Sequence, residues 1–303
     1  MVLTDGDWEE LLYAICEQKC TPFIGAGACI PWIPLGSEIA QRWAEKYNYP
    51  LNDCGSLSRV AQFLEIDTGD AMRPKNILIR EIKELTKAPP DFSKEEYKNA
   101  PHSVLADLKL PIYITSNYDK FMELSLKSRQ NVEPVVEFCD WNNYAKVAKI
   151  PSSLRKSKYK PTQQIPLVYH LHGHIDIPQS MVLTENDYYD FVVRLYQEDL
   201  LQLLTPVIHT ALATTSLLFV GYSLEDLNFR IIFRSIMNLL GSRSQLPSIA
   251  VQLHPGSTLT NIDKAEKYLE QYIRNMFKVH IYWGDAKDFS KELRERWEKF
   301  ECN

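Results

Sequence analysis

The sequence has no excess of positive charge: 34 Lys and Arg face 39 Asp and Glu, giving a net charge of -5 and an isoelectric point near 5.9. That balance argues against nucleic acid as a primary ligand, which calls for a basic surface. The opening stretch Met1-Val2-Leu3-Thr4-Asp5-Gly6-Asp7 is acidic and has no apolar core, so it does not read as a secretory signal. An unbroken membrane-length apolar run is also missing. The most apolar region, Leu200 to Gly221, is interrupted by Pro206 and His209, and Thr214-Thr215 divides a helical half from a strand-like half. It predicts a buried helix feeding a buried strand and no direct membrane attachment. Internal repeats and low-complexity tracts are absent as well. The six cysteines are Cys16, Cys20, Cys29, Cys54, Cys139 and Cys302. Cys16 and Cys20 are spaced for one face of a helix over 7–19, but no second Cys/His pair follows to complete a metal site. Scattered thiols without an export signal predict reduced cysteines and a cytoplasmic location.

What remains is an ordinary globular composition, 45% hydrophobic and 24% charged, in a chain of 303 residues. That length fits one large α/β domain or a core with a modest insertion. Trp8, Leu11, Leu12 and Ile15 recur at helical spacing, and a second helix is predicted over Ser37 to Tyr47, with Ser37 as a possible cap and Ile39, Ala40, Trp43 and Ala44 on its apolar face. Residues 51–100 carry helical patterns around Leu57 to Ile66 and Pro74 to Leu85, with no strong strand after either. They predict a small helical insertion that ends in the loop signal Ala88-Pro89-Pro90-Asp91. Further helices are predicted near Ser103 to Leu108, Phe121 to Lys127, from the cap signature at Leu183-Thr184-Glu185-Asn186-Asp187 through Phe191, Leu195 and Leu200, at Lys264 to Asn275 and at Ser290 to Phe300. Residues 146–164 contain Lys146, Lys149, Arg155, Lys156, Lys158 and Lys160 with no apolar period, a surface loop that is either a solvated connection or a lid or docking surface for an acidic partner.

Four short motifs carry the functional signal: Gly25-Ala26-Gly27, Thr115-Ser116-Asn117-Tyr118-Asp119, His172-Gly173 and Gly221-Tyr222-Ser223. Each follows an apolar stretch that reads as a strand, namely Thr21 to Ile24, Leu110 to Ile114, Leu167 to Leu171 and Leu217 to Val220. Two last strands are predicted at Ile249 to Leu253 and Val279 to Trp283. The alternation of strands and helices predicts an α/β fold, a doubly wound, mostly parallel, Rossmann-like sheet with the helical insertion covering the site. Ligands of such sheets sit outside the carboxyl ends of the strands.

Each motif has two readings at this level. Gly25 and Gly27 permit close backbone approach to a pyrophosphate, with a following helix offering free N–H groups, or they serve a plain strand-to-helix turn. Asn117 can hold a ligand through its amide or cap the next helix. His170, His172 and His174 alternate and so share a face; the set could suggest a metal, but no carboxylate or thiolate cluster stands nearby in sequence. A histidine at a strand end also suits proton transfer. Glu225 and Asp226, after Ser223, suit a helix start through its dipole.

In this order and at these strand ends, the motifs resemble the sirtuin family over about residues 20 to 255. The resemblance implies a single catalytic domain over 1–303, with 51–100 inserted in it, and NAD as substrate. It implies that Asn117 holds the nicotinamide ribose and a water, and that His172 is the general base. Gly25, Ala26, Gly27 and Cys29 would form the loop over the dinucleotide, Tyr118 and Asp119 would face the carboxamide, and Gly221 and Ser223 would hold the adenosine ribose and phosphate. Cys29 stands where the family has Ser, and Ile30-Pro31-Trp32-Ile33-Pro34 does not reproduce the family's Pro-x-Phe-Arg stretch. Protein-deacylating sirtuins carry two Cys-x-x-Cys pairs after His-Gly that hold a structural zinc. Here no cysteine follows Gly173 until Cys302, so no zinc is expected. The remaining set is similar to zinc-free sirtuin-like domains of bacterial anti-phage systems. That branch implies an NAD glycohydrolase, latent until triggered, working as a homo-oligomer or with a partner such as a HerA-like ATPase. The alternatives are a non-catalytic NAD or ADP-ribose sensor or assembly subunit, and an NAD-dependent deacylase or ADP-ribosyltransferase.

Overall fold

The computed structural model describes residues 3–142, 159–197, 204–222, 230, 234, 248–253, 262–277 and 279–302. Most of the basic stretch 146–164, together with Leu200, Ser223, Glu225 and Asp226, lies outside the described residues.

The chain opens with helix α1 (Asp5–Cys16), whose Thr4 cap and Asp7 exchange hydrogen bonds in a capping box. Strand β1 (Cys20–Ile24) is followed by a short 3₁₀ turn, Ala26–Cys29. Three helices come next: α2 (Gly36–Lys46), α3 (Leu57–Thr68) and α4 (Arg73–Leu85). Then follow α5 (Pro101–Asp107), β2 (Ile112–Thr115), α6 (Phe121–Lys127), β3 (Val135–Phe138) and β4 (Leu167–His170). The remaining elements are α7 (Glu185–Gln197), α8 (Pro206–Thr214), β5 (Ser216–Val220), β6 (Ser248–Gln252), α9 (Ile262–Phe277), β7 (Val279–Trp283) and α10 (Ala286–Trp297).

The strands form one sheet in the order β3-β4-β2-β1-β5-β6-β7, and every pair is parallel. Strand side chains alternate between two cores. Phe23, Ile114, Leu217 and Phe219 face one core with Phe191, Ile208 and Leu212 of α7 and α8. Cys20, Ile24, Tyr113, Leu218 and Val220 face the other with Trp8, Leu105 and Phe289 of α1, α5 and α10. Helices on both faces of a parallel sheet make the fold doubly wound, as the alternation of elements predicts. A third cluster lies among α2, α3 and α4 and includes Ala40, Trp43, Val60, Ala61 and Leu78, with Phe121, Met181 and Leu183 beneath them.

Four details differ from the sequence expectations. The edge strand β3 carries half-exposed Val135 and Val136 and shows no unbroken apolar run. Ser37 does not cap α2; the helix begins at Gly36, and Glu38 accepts the Leu35 N–H at 2.8 Å. Cys20 starts β1 and is not on the α1 face, while Cys16 is disulfide-bonded to Cys302 with Cα atoms 5.9 Å apart, so these two thiols are not free. No long helix follows the Gly25-Ala26-Gly27 loop, only the four-residue 3₁₀ turn.

Candidate active site

β1 lies mid-sheet with β2 on one side and β5 on the other, so the winding reverses there and a crevice opens beyond the strand ends. The segments after β1, β2, β4 and β5 all reach it. A cavity of about 550 Å³ occupies this place, within the range of small-molecule sites. From the sheet side it is lined by Ala26, Cys29, Asn117, Tyr118, Asp119, His172, Gly221 and Tyr222. Leu35 and Ser37 at the start of α2, Ser56 and Leu57 at the start of α3, and Leu78 and Ile82 of α4 close it from above. This roof is tied down through α7: the Lys75 ammonium, largely buried, pairs with Asp187 at 3.0 Å, and Asp187 also accepts the Leu183 and Thr184 N–H groups.

The glycines have a tighter use than open access to a ligand. A Cβ on Gly25 would lie 2.6 Å from the Gly221 carbonyl oxygen, and one on Gly221, where φ is +81°, would lie 2.3 Å from the Ala28 nitrogen. Gly25 and Gly27 donate to the Val220 and Gly221 carbonyls at 2.9 Å, so the loops after β1 and β5 interlock backbone to backbone. The N–H groups of Gly25, Gly27 and Ala28 are thereby engaged within the protein.

Asn117 is fixed by its surroundings. Its backbone N–H donates to Thr115 Oγ1 at 3.0 Å, and its Nδ2 donates to the Gly25 carbonyl at 3.0 Å and to Cys29 Sγ at 3.2 Å. A carbonyl can only accept, so the amide orientation is set, and Oδ1 is the acceptor left for a ligand hydroxyl or water. The Cys29 thiol donates in turn to Asp119 Oδ2 at 3.2 Å. Burial, reinforced by the Asp119 carboxylate, pushes this thiol well above its usual range, so it remains protonated. Asp119 also accepts the Phe121 N–H at 2.8 Å and thus helps start α6.

His172 stands at the β4 end, packed edge-on against Tyr188 and Phe191 of α7 with ring centroids 5.5 Å away in each case. Its Nε2 is buried and has no hydrogen-bond partner. Burial holds the imidazole down at about 4, so it is neutral at physiological pH with an acceptor lone pair available. The following Gly173 has φ of +91°, and a Cβ there would lie 2.2 Å from the Ser180 carbonyl oxygen. His170 and His174 turn away to Glu123 Oε1, at 3.2 and 3.0 Å. Among the described residues, two groups have donor atoms close enough to invite a metal, Cys29 with His102 and Asp119, and Glu123 with His170 and His174; the atoms of each set lie within 4.8 Å of one another.

The structure thus brings nine of the ten expected site residues together, seven as lining and Gly25 and Gly27 just beneath; Ser223 is the tenth. Sequence reasoning missed Tyr222, whose hydroxyl donates to Ile24 O at 3.0 Å and lies 2.8 Å from Ser116 Oγ, and Tyr188, His102 and Glu123. Only Tyr222 carried a signal, its place inside the fourth motif.

Residues 111–275 match a family model described as a SIR2-like domain. Among curated proteins, the chain is 26% identical over 291 residues to an NAD(+) hydrolase ThsA of Enterococcus faecium, an alignment covering 93% of this chain and 53% of that protein. It is 29% identical over 238 residues to an NAD(+) hydrolase ThsA of Cytobacillus dafuensis, covering 77% of this chain and 41% of that one. The chain thus spans about half the length, or less, of these curated relatives. A solved structure described as "Structural Basis for the Mechanism and Regulation of Sir2 Enzymes" aligns over 98% of both chains at 12% identity and a TM-score of 0.41, too distant to inform the site.

Proposed function

This chain belongs to the SIR2-like domain family, and from that premise we propose that it is an NAD glycohydrolase. The reading is supported by the family, by the relatives named as NAD(+) hydrolases, and by the motif residues around one cleft. The observation that carries the mechanism is the pairing of a fixed Asn117 amide with an unpartnered, neutral His172. In the reaction the C–N glycosidic bond breaks and its electron pair passes to the pyridinium nitrogen, so nicotinamide leaves neutral. Charge builds on the ribose as an oxocarbenium-like state, and a water oxygen bonds to the anomeric carbon. Asn117 Oδ1 accepts from that water or from a ribose hydroxyl and orients it. His172 Nε2 accepts the proton released, through a ribose hydroxyl or directly. The products are nicotinamide, ADP-ribose and one proton. No metal enters these steps, because the leaving group is already cationic.

Gly25, Ala26, Gly27 and Cys29 form the loop over the dinucleotide in this reading, Tyr118 and Asp119 face the carboxamide, and Gly221 and Ser223 take the adenosine side. Residues 51–100 act as an inserted roof within one catalytic domain. In the cell we assign the protein to anti-phage defence, as a cytoplasmic effector that drains NAD when triggered. Latency before the trigger would come from a homo-oligomeric state or a partner such as a HerA-like ATPase. No helix among the described residues is long and apolar enough to cross a membrane.

The test is to incubate the purified protein with NAD and separate nicotinamide and ADP-ribose by chromatography, with Asn117→Ala and His172→Ala alongside. The expected result is nicotinamide release that each substitution cuts by at least about a hundredfold. Equal turnover by wild type and both variants would refute the assignment of these residues.

A further inference from the structure

Behind the cleft, Glu123, His170 and His174 form a buried cluster that the reaction above does not use. Each histidine presents Nε2 to the same oxygen, Glu123 Oε1, and each Nδ1 has a partner of its own. His170 Nδ1 faces the Asn117 backbone carbonyl at 2.9 Å, and His174 Nδ1 faces the Asp176 backbone N–H at 3.2 Å.

These partners fix where the protons are. A carbonyl only accepts, so His170 Nδ1 carries a proton; a backbone N–H only donates, so His174 Nδ1 is bare. His174 is then a neutral ring whose Nε2–H donates to Glu123. A metal-ligating histidine has the opposite arrangement, with its proton on the far nitrogen and donated outward. The cluster is therefore a hydrogen-bond relay. Between His170 Nε2 and Glu123 one more proton is required, on the ring or on the carboxyl. Burial opposes ionisation of Glu123, but the hydrogen bonds from the two histidines outweigh it and hold the carboxyl below its ordinary range. Other charges facing the cluster are few: Asp176 Oδ2 lies 4.0 Å from His174 Nδ1 and is itself paired with Lys120.

We propose that Glu123 and His170 are positioning residues for Asn117. Glu123 holds the His170 ring through Nε2, and His170 Nδ1–H clamps the Asn117 carbonyl. The peptide of Asn117 is then held at both ends, its N–H on Thr115 and its carbonyl on His170, while Nδ2 is held by Gly25 and Cys29. Only Oδ1 is left to act, pointed by four fixed contacts. This proposal rests on the NAD-cleaving reading for its functional meaning, though the proton placement stands without it.

Two measurements test it. In the first, ¹⁵N-histidine NMR on the wild-type chain at neutral pH, with His170 assigned by loss of its signals in His170→Asn, should show His170 protonated on Nδ1. In Glu123→Gln the ring should keep its Nδ1 proton, since the amide can donate to Nε2. A wild-type His170 without a proton on Nδ1 would overturn the proposal whatever the activity. In the second, His170→Phe should lower kcat about 10- to 100-fold with little change in KM for NAD, since a misplaced group acts on the reacting geometry. His170→Asn, whose amide can occupy the Nδ1 position, should recover part of that loss at matched thermal stability. A folded His170→Phe with wild-type kcat, or no rescue by His170→Asn, would also overturn it. If the wild type shows no turnover, the function assignment is what fails; the clamp is then read from the Asn117 side-chain amide resonance, expected to shift in His170→Phe and return in His170→Asn.

Discussion

His172 is buried as a neutral ring, and folding should therefore weaken as pH falls. Its imidazole has an ordinary value of 6.5 and is held down at about 4 in the fold, with burial as the cause. Between those values the unfolded chain binds a proton that the folded chain refuses, so stability drops with decreasing pH. At pH 7.5 both states are neutral and the contribution is intact. At pH 5 the unfolded ring is almost fully charged and the folded ring is not, which costs about 2 kcal/mol, rising to about 3 kcal/mol below pH 4. His102, equally buried and also held at about 4, adds a second share of similar size. His172→Phe separates the two, since a Phe ring suits the aromatic surroundings of Tyr188 and Phe191 and removes only one titration. The assay is urea unfolding of wild type and variant, followed by tryptophan fluorescence at pH 7.5 and pH 5. The variant should lose about 2 kcal/mol less than wild type across this interval. An identical pH dependence in the two proteins, or an NMR titration of His172 centred near 6.5, would refute the argument.

Two further outcomes follow from the packing. Lys75→Met leaves the Asp187 carboxylate without its buried cation, and should destabilise the protein by about 3 kcal/mol in urea unfolding and raise KM for NAD by loosening the roof. Gly221→Ala places a Cβ against the Ala28 nitrogen in a left-handed backbone conformation; a loss of about 3 kcal/mol or more and abolished NAD turnover are expected, checked by the same unfolding assay and by chromatography.

The strand ends were legible because each carried two signals at once, a short apolar run and a polar or glycine residue where the run stops. β3 lacked the first: an edge strand keeps Val135 and Val136 half-exposed and has Glu137 in its run, so nothing marks it. The loop after β1 was legible as glycine-rich but not in its reason, because the backbone that crowds Gly25 comes from Gly221, far along the chain. The partnership of Glu123 with His170 and His174 had no sequence trace. The carboxylate sits in α6 and the histidines near β4, 47 and 51 residues away, and only the parallel pairing of β2 with β4 makes them neighbours. His172, in contrast, was readable from its following glycine, although its burial and lone acceptor were not.

The interlock of the β1 and β5 loops also has a meaning in time. β1 is made before β5, yet the two strands pair and the Tyr222 hydroxyl, just after β5, donates to the Ile24 carbonyl across 198 positions. Contacts of such separation form late, after the intervening chain has been ordered. The wall of the cleft that Gly221 and Tyr222 supply cannot exist on a growing chain that has not yet delivered β5. A ribosome making this protein therefore carries an incomplete site until β5 has emerged, and whatever chemistry the cleft performs begins only with the finished sheet.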